Sequence, residues 1–363
     1  MRHVVSVTSN TTLSSAHAGC DLLVTGGQID ITLPLASGMA DCDIRVINGD
    51  TGNAKRLINF PADVNQRLWP RQSINVNTDG STWFADEKPG RFKISAGQKV
   101  YVHPSGSDTN DGMTSATALQ HIGYAGTLIQ TDFDTNQQCP VIAPAINQTY
   151  YNDPLVLGGQ PTGGNLIQLS PDGNGSFTWM CDGPCINVGD NAELNIALTA
   201  YGVNGTIRFN GNRLNVAGRS HIYMHNNGLF DMSGKPTFVG NGTNDCAIFF
   251  DGPTAGAALS DGFYVENTFG DLFRMDEGGG RFTLSGEITP VPLPGTSIYP
   301  IVGRLFAILG TSELILSTAP AGGPWTSLGQ SVVGGNANLI TNGASIPGTV
   351  VATQGGVIAT TKF

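Results

Sequence analysis

The chain has 363 residues, 40% of them apolar and only 13% charged, with a formal net charge of −10. That apolar fraction suffices for a buried core and excludes a disordered chain. The acidic balance argues against nucleic acid or an anionic membrane as partner, because both reward excess Lys and Arg, whereas a neutral glycan requires neither sign. The 49 Gly and 20 Pro point to many tight corners, since Gly permits φ > 0. Met1–Thr8 lacks an apolar run of signal-peptide length, and longer apolar stretches are broken by Gly, Ser or Thr within a few residues. The expectation is a chain folded in a cytosol, with no membrane insertion.

In chain order, residues 1–91 form a first unit. Val4–Thr8, Leu22–Thr25, Ile29–Leu33, Ile44–Ile47, Arg56–Phe60, Ser73–Asn77 and Ser81–Phe84 read as short strands, several alternating apolar and polar. Gly26-Gly27, Asn48-Gly49-Asp50 and Asp79-Gly80 mark turns between them. This spacing predicts a small antiparallel sandwich or jelly roll. Residues 92–99 read as a linker.

A body then spans residues 100–318. It begins with a strand at Val100-Tyr101-Val102, a polar turn through Asp108-Thr109-Asn110-Asp111-Gly112, and a helix near 114–126. Ala118, Leu119, Ile122 and Ala125 offer that helix an apolar face, and Thr114 or Ser115 a cap. After it come many short strands separated by Gly and Asn. From Leu229 to Ile248 is 19 residues, near the roughly 20-residue coil of solenoids. Other spacings are irregular, so the pattern is an imperfect solenoid with loops. Leu229, Ile248, Phe249 and Phe306 are the expected core. Residues 319–363 are β-rich and short of charge, and read as an element that packs between subunits.

The entry run Val100–Ala118 is similar to the start of the pectate-lyase-like right-handed parallel β-helix found in bacteriophage tail spikes. Ala18–Thr25, Ile31–Pro34, Asp79–Trp83 and Pro89-Gly90-Arg91 resemble a module common in phage tail fibres and spikes. The resemblance implies an all-β homotrimer: an N-terminal β-sandwich that joins other virion proteins, a β-helix body, and a C-terminal trimerisation element. It implies a fibre or spike on the surface of a virion or phage-like particle, folded in the host bacterial cytoplasm, that binds capsule or lipopolysaccharide. Two alternatives stand beside it: a depolymerase acting as glycoside hydrolase or lyase, and a purely structural or decoration fibre on head or tail. The short body and few acidic residues lean toward binding without cleavage.

The residues suggest where such chemistry would sit. His221, Tyr223 and His225 share one face of an alternating strand if Ile222 and Met224 point inward. Tyr264, Arg274, Trp179 and Tyr201 are further glycan-binding candidates. Hydrolysis needs two carboxyls held roughly 5–9.5 Å apart, and Asp251 and Glu266 are candidates within the acidic group Asp251, Asp261, Glu266, Asp271, Asp276 and Glu277. Several of these Asp stand beside Gly, as in turns. A lyase would pair His221 with Arg208 or Arg219. No nucleotide loop or zinc pattern is present: Cys181 and Cys185 lack two further ligands, the six cysteines read as free thiols, and Asp108–Gly112 lacks the late Glu of a calcium loop. No cofactor or metal is therefore expected.

Overall fold

The computed structural model describes every residue except 1, 40, 62–65, 88, 163, 165, 199–204, 211–218, 243–244, 253–255, 277–279, 294, 318–323 and 360–363. Strands dominate it, mostly in parallel sheets, and a single α-helix, α1 (Ile122–Asp132), stands among the described residues.

The first unit pairs its strands differently from the sandwich expected. His3–Val7, Cys20–Val24 and Cys42–Asn48 pair in parallel, as do Thr11–Thr12, Asp30–Thr32 and Lys55–Ile58 in the facing sheet. Only the later strands Arg67–Leu68, Ser73–Thr78 and Trp83–Glu87 add antiparallel. Successive parallel strands lie in opposite sheets, so each strand of one sheet is the crossover for the other. Alternation is the same in either direction, which is why the sequence marks the strands and not their sense. Leu22, Val24, Ile31, Ile44, Val46 and Leu57 close the core between the sheets.

Residues 92–99 are not a free linker. Phe92–Lys93 pairs in parallel with Phe133–Asp134. Phe92 stacks on Trp69 at 5.2 Å, and Trp69 meets Phe133 edge-on at 5.0 Å. The guanidinium of Arg67 donates to the carbonyls of Asp108 and Asn110 and to the Tyr124 hydroxyl. Asp111 accepts from the Ala54 amide at 2.8 Å. The first unit and the body thus share a packed seam.

The polar entry turn is structural. Asp108 accepts from the backbone of Gln120 and His121 and from the His121 ring, and Asp111 accepts from Met113 N and Thr117 Oγ1. The expected helix at 114–126 begins later. Thr114 caps only a short 3-10 turn, Ser115–Thr117. Leu119 then pairs with the first body strand: its amide donates to Tyr101 O and its carbonyl accepts from His103 N. That extended pairing delays α1 to Ile122. The start of α1 is closed from a distance, by Asp153, whose carboxylate accepts from the amides of Ile122 (2.5 Å) and Gly123 (2.8 Å). Burial raises the pKa of Asp153.

Beyond α1 the chain visits three stacks of parallel strands in turn. Stack A runs from Lys99–Val102 through Val141–Pro144, Ile167–Leu169, Glu193–Ala197 and Leu229–Ser233 to Val357–Ala359. Stack B contains Thr149–Tyr151, Ser176–Met180, Thr206–Asn210 and Thr237–Asn241. Stack C contains Leu155–Gly158, Ile186–Gly189, Arg219–His225 and Asp245–Asp251. The strand Gly262–Asp276 serves both, its first half pairing in stack B and its second in stack C. Inward side chains, among them Leu194, Phe230, Phe238, Ile248, Phe273 and Phe306, form one continuous core.

Two expectations fail on this register. Leu229 and Ile248 are not one repeat apart: Leu229 pairs with Gly256 in stack A and Ile248 with Phe273 in stack C. Leu229 and Phe249 face outward, Leu229 being 46% exposed. The described residues after 323 also form no separate element. Ser331–Val333, Asn338–Ile340, Val350–Ala352 and Val357–Ala359 extend stacks C and A by further parallel pairs. The boundary at 318/319 lies outside the described residues.

Candidate functional site

Stack C presents an outward ladder. The register aligns Val156, Asn187, Tyr223, Phe249 and Arg274 on five consecutive parallel strands. At about 4.8 Å per strand the ladder is about 19 Å long. A second row beside it aligns His225, Asp251 and Asp276. Ile222 and Met224 are buried, as alternation predicts, and this turns Tyr223 and His225 outward.

The two rows are tied together. The Tyr223 hydroxyl donates to Asp251 Oδ2 at 2.8 Å. Its ring stacks on His225 at 5.1 Å and leans on Phe249 at 5.6 Å. Burial first, then the Asp251 carboxylate, push the phenol up to about 12, so it remains a donor at neutral pH. His225 Nε2 meets Asn187 Oδ1 at 2.9 Å. A Cβ on Gly189 would lie 2.1 Å from the His225 ring, so only Gly leaves room for this pose. Arg274 lies over the Phe249 ring at 5.4 Å and donates to Asp276 at 2.8 Å, and that bond holds its pKa above the usual guanidinium value. Next to Val156 and Asn187 opens a mainly apolar groove of about 380 Å³, bordered also by Pro154, Cys181 and Pro184.

No family model, curated protein or solved structure matches this chain. The reading of the site therefore rests on its own geometry.

The candidates from the sequence separate into three places. Tyr223, His225, Arg274 and Asp251 come together on the ladder. Tyr264 lies on stack B, opposite Thr237 and Thr289, with Lys235 Nζ 5.7 Å above its ring. His221 and Trp179 are core residues. His221 is 4% exposed and sits among the rings of Phe209, Phe238 and Phe269. Burial lowers its pKa to about 4, and Nε2 has no hydrogen-bond partner among the described residues. Trp179 is buried and donates to Asp153 O. Tyr201 and Glu277 lie outside the described residues, as does the side chain of Arg219.

The proposed carboxylate pair is not assembled. Asp251 stands opposite Asp276, while Glu266 stands opposite Val239, ten positions earlier on the same long strand. Glu266 is buried and held by a two-pronged bond from Arg208, at 2.6 and 2.5 Å. Asp271 is held likewise by Arg304, and Asp261 accepts from Gly234 N. With His221 in the core and Arg208 engaged by Glu266, the lyase pairing of His221 with Arg208 is not assembled either, and the side chain of its alternative partner Arg219 lies outside the described residues. Among the described residues no group of three or more His, Cys, Asp or Glu is placed to hold a metal, and all six cysteines are free, five of them buried. Among the described residues no helix is long and apolar enough to cross a membrane.

The sequence reading missed Asn187, Gly189 and Phe249 as a surface residue. Each lies in a strand next to Tyr223 in space and far from it in sequence, so only the register reveals them.

Proposed function

We propose that the chain is a fibre or spike protein of a virion or phage-like particle that binds host cell-surface polysaccharide without cleaving it. The observation that carries this reading is the outward ladder of Tyr223, Phe249 and Arg274 beside His225, Asp251 and Asn187. Ring faces suit the C–H faces of sugars, and the flanking phenol, imidazole, amide and carboxylate suit their hydroxyls. The ladder's length and open geometry fit an extended chain better than a small metabolite, for which an enclosed pocket is usual. Glu266 and Asp271 are each neutralised by an arginine, which removes two of the acidic groups a hydrolase would draw on.

The wider proposal is a right-handed parallel β-helix in a homotrimer on the virion surface, joined to other virion proteins through residues 1–91. The three parallel stacks and the entry turn support the body; the trimer rests on the resemblance to spikes. A stable monomer by light scattering at micromolar concentration would sink the trimer. The binding test is retention of the purified protein on capsule or lipopolysaccharide. We expect retention, no new reducing ends, and no unsaturated-uronate absorbance. Tyr223→Ala should weaken retention by removing the central ring. Unchanged retention would remove the ladder as the binding surface, and either cleavage signal would replace the binder with a depolymerase.

A further inference from the structure

A second concave site, which shares no residue with the ladder, lies where the first unit meets the body. A cleft of about 710 Å³ opens between two loops, one carrying Thr51 and the other Arg71, and the segment from Arg91 to Ser95. Its lining contains Arg71, Arg91 and Lys93 and no carboxylate among the described residues. This is unusual in a chain with 28 acidic and 18 basic residues, because like charges around a concavity repel unless something compensates them.

Among the described residues no carboxylate forms an ion pair with them, although the register sets Asp134 opposite Lys93. Arg71 and Lys93 make no side-chain hydrogen bond or ion pair among the described residues. Arg91 spends one nitrogen on the carbonyls of Gln130 and Phe133 at the end of α1, which fixes the guanidinium at the cleft. Arg71 holds a left-handed backbone, φ 64°, a conformation that a non-glycine residue adopts only at a cost. The loop accepts that cost with its amide bonded to Asn48 O. The cleft also offers the Thr51 and Ser95 hydroxyls and the half-buried ring of Phe92, stacked on Trp69.

We infer that this cleft binds an oxyanion carried on a saccharide: a uronate, or a sugar bearing a phosphate or sulfate ester. The cations match the charged group, since Arg and Lys form strong charge-assisted bonds to carboxylate and phosphate. The hydroxyls and the Phe92 ring match the sugar that carries it. The inference uses none of the ladder residues, so it stands or falls apart from the proposed function.

The test is titration calorimetry on the full chain at low salt with tri-galacturonate, maltotriose and inorganic phosphate. Tri-galacturonate should bind and weaken as salt rises, and maltotriose should not compete for the cleft. The double variant Arg71→Asn/Lys93→Gln should weaken tri-galacturonate by about tenfold or more, the factor expected for the loss of one good charged contact. Asn tolerates the left-handed backbone at 71, and an unchanged melting temperature would show that the fold survives. Lys93→Glu alone should weaken binding further than Lys93→Gln. Phosphate binding as tightly as tri-galacturonate would overturn the saccharide assignment. No binding of either anion, or equal binding by the double variant, would overturn the site.

Discussion

The two ends of the body differ in what lies over their apolar interiors. At the first end, Leu119, Ile122, Ile129 and Phe133 close the stack and are themselves fully buried, with Trp69 of the first unit packed on Phe133. At the far end the column Phe282, Leu314, Leu339 and Ile358 runs up stack A. Its first three members are buried, yet Ile358 is 44% exposed and its neighbour Val357 is 45% exposed. The side chains of this column are chemically alike. What differs is that, among the described residues, no strand pairs beyond Val357–Ala359 in stack A, so burial here follows position in the stack.

This contrast can be tested by substitution. Phe133→Ala should be the costliest change, about 3–5 kcal/mol, because it empties a site enclosed by α1, Trp69 and Phe92. Denaturant unfolding would measure it, and a loss under about 1 kcal/mol would mean that the closure is loose. Between the ends, His221 should make stability depend on pH. Its folded pKa, about 4, lies below the ordinary histidine value of 6.5, so the unfolded chain binds the proton first. Stability from this group is complete above about pH 6.5 and is lost as pH falls toward 4, by up to about 3 kcal/mol. Comparing pH profiles of the wild type and His221→Leu isolates that share; parallel profiles would refute it. Gly123→Ala should cost about 1–3 kcal/mol, since the new Cβ would lie 2.3 Å from Pro154 O. Thermal melting would show it. Ile358→Ala should cost least, under about 1 kcal/mol, against about 2–5 for Leu339→Ala in the layer beneath. Equal costs at the two positions would mean that something covers Ile358 in solution, and a dependence of melting temperature on concentration would identify it as a second copy.

Much of this was legible in the sequence. Seven of the nine strands of the first unit and the inward pair Ile222 and Met224 follow from alternation, while the two-residue strands Thr11–Thr12 and Arg67–Leu68 are too short to show it. Alternation failed at His221 for a local reason. Ser220, His221 and Ile222 are buried in succession, because the strand bends there at the corner between stacks B and C. In the following layers Ala247, Leu272 and Leu305 occupy the same corner, and all are buried. A bend turns consecutive side chains to one side, and no period-2 pattern records it. The ladder was half legible for a different reason. Tyr223 and His225 are two apart in sequence, but Asn187, Phe249 and Arg274 join them only through pairings whose spacing changes from layer to layer: Asn187 to Tyr223, Tyr223 to Phe249, Phe249 to Arg274. Irregular loops set those spacings and hide the repeat. Glu266 looked available because its partner Arg208 is 58 residues away.

The carboxylate that closes the start of α1 has a consequence for the order of events during synthesis. Asp153 lies 31 residues beyond the Ile122 amide it accepts from. A helix of eleven residues is marginal by itself in water, and this one has no side-chain cap of its own. As the chain emerges, the sequence of α1 is therefore exposed before the group that completes it. The helix and the strand Leu155–Gly158, which starts two residues after Asp153, should become ordered in one step. Pulsed hydrogen exchange during refolding would then find the amides of Ile122 and Gly123 protected at the same time as those of Leu155 and Leu157. Protection of α1 well ahead of that strand would show that the helix forms without its distant cap.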